Sequence, residues 1–199
     1  MKGRENAPRE RFKTSPEYKQ LIQEENLFKR RIRFVAILTQ KLKEKCAGAI
    51  LVGGEAIDLY TAGTFATSDI DLVINNKALT QKLLNRFGFS KEASRLWLSR
   101  ELNIVVQVIL EPYTGNAHKL RTFRVKDLEL KVAAPEDLIR NRLYSLKFWK
   151  GNQQLDLEQS VSLIRIFSNE LDDAYLDKIA KENDIEDVLA EARRLALSA

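Results

Sequence analysis

Asp69 and Asp71 are separated by one residue in Thr67-Ser68-Asp69-Ile70-Asp71-Leu72-Val73-Ile74, where acidic and apolar residues alternate. On a strand, side chains two apart share a face, so the two carboxylates project together while Ile70 and Leu72 turn to a core. Parallel carboxylates repel unless a cation sits between them. Hard oxygen donors of this kind suit Mg²⁺, with Mn²⁺ as the alternative ion, completed by water and phosphate oxygens. Upstream, the apolar run Ala49–Val52 meets Gly53-Gly54. Adjacent glycines after a strand let the backbone approach a phosphate, and the amides that open the next helix favour negative charge. Ser68 stands beside the acids, with its hydroxyl free to serve a phosphate or a strand-entry hydrogen bond. The chain has one histidine, His118, and one cysteine, Cys46, so carboxylates are the credible metal ligands.

Elements of definite kinds must hold these groups. Ala49–Val52 reads as a buried strand stopped by the glycine pair, followed by a short helix over Glu55–Ala62 and a strand over Asp69–Ile74. The pattern predicts a helix over Ala78–Phe87 closed by Gly88. Strands are expected at Arg95–Ser99, Asn103–Leu110, Leu120–Val125 and Leu128–Val132. Ahead of them, Ser15-Pro16-Glu17 combines a hydroxyl cap, a proline for the first helical position and a first-turn acid. Apolar residues from Leu21 to Leu42 recur at three- and four-residue steps, which predicts one long helix to about Lys45, ended by a left-handed Gly48. After Ala134-Pro135 the texture is helical, over 135–149, 155–168, 172–181 and 184–197. The expected organisation is a mobile basic arm at 1–14, a core with its N-terminal helix at 15–134, and a helical region at 135–199. The class is α+β, or mixed α/β, with a central mixed sheet and flanking helices.

Composition narrows the function classes. A chain of 199 residues makes one domain with appendages or two small ones, and is long enough to bury a core without a disulfide or metal staple. A lone cysteine excludes an internal disulfide. The longest nearly apolar run, Ile104–Leu110, falls far short of the ~18 residues of a membrane span, and the charged N-terminus lacks a secretory apolar segment. A cytoplasmic, reduced protein is expected. The net charge of +5, from 33 Lys+Arg against 28 Asp+Glu, permits an anionic partner. The basic excess lies in the arm, the N-terminal helix and residues 119–150, whereas 170–199 are acidic.

The strand, the Gly53-Gly54 pair and the Asp69-x-Asp71 pair resemble the signature of the nucleotidyltransferase superfamily, the fold of polymerase beta, over Val52–Val73. Thr67-Ser68-Asp69-Ile70-Asp71 is similar to the form found in small bacterial members. Downstream, Ala133-Ala134-Pro135-Glu136-Asp137-Leu138-Ile139-Arg140-Asn141-Arg142 resembles the segment that opens the C-terminal helices of toxin-type and abortive-infection nucleotidyltransferases, and Asp156-Leu157-Glu158-Gln159 resembles the helix that follows. The resemblance spans residues 49–168 and implies transfer of a nucleoside monophosphate from a triphosphate to a hydroxyl, with release of pyrophosphate. Asp69 and Asp71 would bind Mg²⁺, Gly53 and Gly54 would form the phosphate turn, and Arg142, where relatives carry lysine, would assist with phosphates. The implied acceptor is an RNA end, such as that of a tRNA, or a protein side chain, in a toxin–antitoxin setting.

One departure from the pattern bears on catalysis. Members usually carry a third carboxylate on a later strand, and the corresponding slot in Asn103–Leu110 holds Gln107. An amide carries no charge and cannot act as a base. Glu101 and Glu111 flank that strand. Two function classes therefore stand open: an Mg-dependent nucleotidyltransferase, or a catalytically impaired binding or regulatory protein on the same fold. Arg140 and Arg142 lie about 200° apart around a helix, so only one faces a given ligand; Arg142 is either a phosphate cation or a partner of Asp156 or Glu158. Lys119–Arg124 and the arm are candidate RNA backbone contacts. Tyr144, Phe148 and Trp149, at helical spacing, are expected in core or interhelix packing rather than as a base-stacking platform; Cys46 is expected to be a small buried residue rather than a nucleophile, and His118 to be exposed.

Overall fold

The computed structural model describes residues 15–110, 112–149 and 151–198. The basic arm at 1–14, Glu111 and Lys150 lie outside the described residues. The chain divides into two compact units, one of residues 1–55, 67–114 and 121–132, the other of 56–66, 115–120 and 133–199.

The first unit carries α1 (Pro16–Gln23), α2 (Leu27–Lys43), β1 (Ala49–Val52), β2 (Ile70–Ile74), α4 (Lys77–Arg86), β3 (Ser90–Lys91), β4 (Leu96–Ser99), β5 (Ile104–Ile109), β6 (Arg121–Val125) and β7 (Leu128–Val132). Among the described residues, seven strands form one sheet in the order β3-β4-β5-β2-β1-β7-β6. Here β1 runs antiparallel to β2 and parallel to β7, and β2 runs parallel to β5. Alternation sorts the side chains: Leu51, Ile70, Leu72, Ile104, Val106 and Leu130 are fully buried, while their neighbours on the other face are half exposed or exposed. Helix α2 packs against β1, β6, β7 and α4. Its Phe34 is fully buried, meeting Phe87 edge-on at 5.8 Å and Phe89 at 4.8 Å between ring centroids.

The single helix expected up to Lys45 is two helices. Asn26 accepts a hydrogen bond from the Lys29 amide at 3.0 Å and starts α2 afresh. Arg30 then fixes the break by donating Nε and Nη2 to the Glu24 carbonyl. At the far end Cys46, not Gly48, is left-handed, with φ 55°, and the Ala47 amide closes the turn on the Leu42 carbonyl at 3.0 Å. That conformation turns Cys46 outward, so it is exposed rather than buried as expected. The short strand β3, unexpected from sequence, pairs with β4.

The second unit holds most of α3 (Gly53–Tyr60), whose first turn belongs to the first unit, a 3₁₀ turn at Ala117–Lys119, α5 (Pro135–Phe148), α6 (Gln153–Ile166), α7 (Asp173–Glu182) and α8 (Glu186–Leu197). Tyr60 donates its hydroxyl to the Ala133 carbonyl at 2.7 Å and packs edge-on against Phe167. Buried acids organise the start of α5. Asp137 accepts from the Asn116 amide and the Tyr175 hydroxyl, and Glu136 accepts from the Asp172 amide. The acidic end is largely paired internally, through Arg193 to Asp173 and Asp177, Arg194 to Glu191 and Lys147 to Asp187. Tyr144, Phe148 and Trp149 are not core: they are 41%, 48% and 67% exposed. Leu138, Ile139 and Leu143 take the buried side of α5, which leaves the aromatics outward. His118 is exposed.

Candidate functional site

The glycine pair and the aspartates meet through sheet register. Val52, the last residue of β1, pairs with Asp71 on β2, so Gly53 begins beside that carboxylate. Gly53 has φ +66°, a left-handed conformation that returns the chain into α3, and a Cβ there would stand 2.1 Å from Asp71 Oδ2. Both the turn and the close approach therefore demand glycine at this position. Asp69 directly precedes β2 and lies on the Asp71 side of the strand by alternation. Its Oδ1 accepts the Ser68 hydroxyl at 3.1 Å. Asp69 and Asp71 are half exposed.

A buried ion pair that sequence reasoning missed braces this corner. Arg31 of α2, 6% exposed, places Nε 2.8 Å from an oxygen of Glu55, which is fully buried in the first turn of α3. The Nη1 of the same guanidinium donates to the Thr67 carbonyl at 2.9 Å, just before Asp69. One side chain thus ties the turn after β1 to the segment entering β2. A usable signal was present: an acid immediately after Gly-Gly in an apolar stretch, and an arginine next to the apolar stripe of α2. In the second unit, Asp58, 2% exposed, accepts from the Phe65 amide at 2.8 Å and shapes the return loop.

Across the sheet, one row of paired residues reads Val52–Asp71–Gln107–Leu96. Gln107 therefore occupies the strand position beside Asp71, on the same face. The Tyr18 hydroxyl donates a hydrogen bond to Glu101, in the turn before β5. Arg142 belongs to the second unit, where Nη1 lies 3.5 Å from Asp156 Oδ1, and Asp156 also accepts the Ser145 hydroxyl at 2.7 Å. Lys119 pairs with Asp172 at 2.6 Å and Arg124 with Glu129 at 3.4 Å.

Two carboxylates on one face, with Asp71 pressed against a glycine backbone, form a donor set that fits a hard divalent cation whose other positions go to water and phosphate. Among the described residues, no group of three or more His, Cys, Asp and Glu side chains is placed to hold a metal. None of the described helices is long and apolar enough to cross a membrane.

No family model matches the chain, and no curated protein matches it by sequence. Solved structures do. An antigenic nucleotidyltransferase-like protein from Paracoccidioides brasiliensis is similar with a TM-score of 0.59 at 19% identity, over 84% of this chain and 92% of that one. The antibiotic-resistance factor ANT(2'')-Ia is similar with a TM-score of 0.54 at 11% identity, over 83% of this chain and 97% of that one. ANT(2'')-Ia in complex with adenylyl-2''-tobramycin gives 0.55 at 11% identity, over 77% and 97%. The fold expected from the glycine and aspartate pairs is thus the observed one: a nucleotidyltransferase fold with a mixed sheet and flanking helices.

Proposed function

We propose that this chain binds a nucleoside triphosphate with a divalent cation, Mg²⁺ or Mn²⁺, and transfers the nucleoside monophosphate to an acceptor oxygen. The observation that carries this function is the seat of the Asp71 carboxylate against Gly53, whose missing side chain leaves room for it. Asp69 and Asp71 would hold the cation, which when bound neutralises phosphate charge and polarises the α-phosphate. Gly53 and Gly54 let the triphosphate approach the backbone at the start of α3, whose amides favour its charge. Ser68 holds Asp69 in place. Arg31 and Glu55 keep the two loops that carry these groups together.

The sequence resemblance also assigns Arg142 to the triphosphate, and an RNA end or a protein side chain, within a toxin–antitoxin pair, to the acceptor. ANT(2'')-Ia, described with adenylyl-2''-tobramycin, adds a small molecule to the acceptor classes worth testing. A second function, nucleotide binding without transfer, is favoured by one observation, the amide of Gln107 beside Asp71.

The test is equilibrium binding of each labelled nucleoside triphosphate with Mg²⁺, beside Asp69→Ala and Asp71→Ala, followed by incubation with total RNA and with candidate acceptors. Binding lost in both variants, with label transferred by the wild type, supports the transferase. Binding without transfer to any acceptor supports the second function. Binding unaffected by either substitution removes the site assignment. Arg142→Ala with unchanged nucleotide affinity reduces Arg142 to a partner of Asp156.

A further inference from the structure

The strands around Asp71 fix which side chains stand close enough to share an ion with it. In its row Val52 lies on one side and Gln107 on the other, with Leu96 beyond. Along β2 the same face carries Asp69 and Val73, and continuing the β2–β5 register by one residue sets Val105 beside Asp69. Asp69, Asp71 and Gln107 are all half exposed. The side-chain oxygen donors of this neighbourhood are therefore two carboxylates, one amide and the Ser68 hydroxyl, which is held on Asp69. Its charge is that of the two carboxylates alone, because an amide oxygen coordinates without charge.

The other acids of the sheet stand elsewhere. Glu129 lies two residues before Lys131, whose partner Ile50 is itself two residues before Val52. Four steps of strand, roughly 13 Å, separate it from the row of Asp71, and it pairs with Arg124 and Lys43. Leu110 and Pro112, on either side of Glu111, line a groove with Gly48 and Asn75, at the ends of β1 and β2 away from Gly53. Glu55 is turned into its buried pair with Arg31. Among the described residues, no third His, Cys, Asp or Glu joins the two aspartates to hold a metal.

Charge balance sets how many ions such a site retains. Two carboxylates match one divalent cation. A second ion would stand about 3.5–4 Å from the first, and their repulsion has to be offset by a further anionic donor. Across β1 from Asp71 the position is Val52, and across β5 it is Gln107. Adjacent strands lie roughly 4.8 Å apart, so a carboxylate at 107 would reach the same ions; the amide there adds no charge. Without a cation the aspartates repel a triphosphate, and without the triphosphate they offer a cation few ligands. Each partner thus raises the affinity for the other by the same factor.

We propose that the site takes a single divalent cation, which enters with the triphosphate, and that Gln107 is the residue that keeps a second one out. The proposal rests on the metal–nucleotide function above and fixes its metal count.

The experiment counts ions rather than turnover. The full chain is mixed one to one with the α,β-methylene analogue of each nucleoside triphosphate and titrated with Mn²⁺, free Mn²⁺ being read by electron paramagnetic resonance. The wild type is expected to hold one tight ion per complex. Gln107→Asp and Gln107→Glu are expected to hold two, the second tightened by about 100-fold or more through the added carboxylate. Gln107→Leu, which removes the amide without adding charge, is expected to stay at one. A second measurement follows analogue affinity as free Mg²⁺ is raised about tenfold beyond saturation of the nucleotide's own complex. The wild type is expected to stay level, and the acidic variants to gain up to about tenfold, the response to one further ion. Two tight ions in the wild type overturn the proposal, and this holds even should both acidic variants fail to fold. One ion in a folded acidic variant overturns the role of Gln107. In each case the nucleotide site is left standing, whereas Mn²⁺ and analogue binding unaffected by Asp69→Ala and Asp71→Ala overturns both.

Discussion

Replacing Gly53 with alanine tests the site at its tightest point, because two penalties fall on one methyl group. A left-handed φ of +66° costs an ordinary L residue roughly 1–2 kcal/mol. Separately, the new Cβ would stand 2.1 Å from Asp71 Oδ2 and 3.0 Å from its Cγ, which no carbon–oxygen contact tolerates. The backbones are held by the Val52–Asp71 pairing, so the carboxylate must swing away. Gly88 separates the two effects: its φ is +86° but nothing lies within 4 Å of its Cβ position. Gly48, with neither left-handed φ nor any neighbour within 4 Å, controls for the mutation itself. Gly88→Ala is expected to lose about 1–2 kcal/mol, with melting lowered roughly 2–4 °C per kcal/mol at this size and nucleotide affinity unchanged. Gly48→Ala is expected to be neutral or to gain about 0.4–1 kcal/mol. Gly53→Ala is expected to lose at least as much as Gly88→Ala and, in addition, about 10–100-fold in metal-dependent nucleotide affinity, the usual cost of disturbing what supports a ligand. The assays are urea unfolding and titration of labelled nucleotide with Mg²⁺. Wild-type nucleotide affinity in Gly53→Ala would refute the assignment of the Asp71 carboxylate to the site.

Arg31→Met removes the ion-pair partner of the fully buried Glu55 carboxylate and is expected to cost about 3–5 kcal/mol in urea unfolding, with Arg31→Met/Glu55→Leu recovering much of the loss. Trp149→Ser, at a position 67% exposed, is expected within about 0.5 kcal/mol of wild type, whereas Leu143→Ala, fully buried on the same helix, loses about 2–5 kcal/mol by the same measurement. Burial, and after it the hydrogen bonds to Glu101 and Asp137, pushes the Tyr18 and Tyr175 hydroxyls above the ordinary tyrosine range. Their protonated form is favoured by folding, so the contribution is complete below the ordinary value of about 10 and is lost as pH rises beyond it. Urea midpoints compared between roughly pH 9 and 11 should fall in the wild type and fall less in Tyr175→Phe.

The sequence alone determined the elements and the acids, because both are written in local patterns. Alternation in Asp69–Ile74 allows only one face for the carboxylates, and an apolar run ending in Gly53-Gly54 allows only a strand followed by a sharp return. The observed β1 over Ala49–Val52 and β2 over Ile70–Ile74 follow from that periodicity. Local pattern also misled where a cap or an exposed face competes with apolar spacing. Asn26 interrupts an otherwise continuous stripe, and Tyr144, Phe148 and Trp149 repeat like core residues while Leu138, Ile139 and Leu143 hold the buried side.

Only the tertiary structure decided what stands beside what, since contacts between distant segments leave no local periodicity. The pairing of Gln107 with Asp71 depends on the parallel register of β2 and β5. The 2.1 Å conflict that reserves Gly53 depends on β1 ending opposite Asp71. The Arg31–Glu55 pair joins residues 24 apart, held only because α2 lies where it can reach the start of α3. Charge and spacing could name two acids that want a cation. The register of the strands was needed to pair the amide of Gln107 with Asp71.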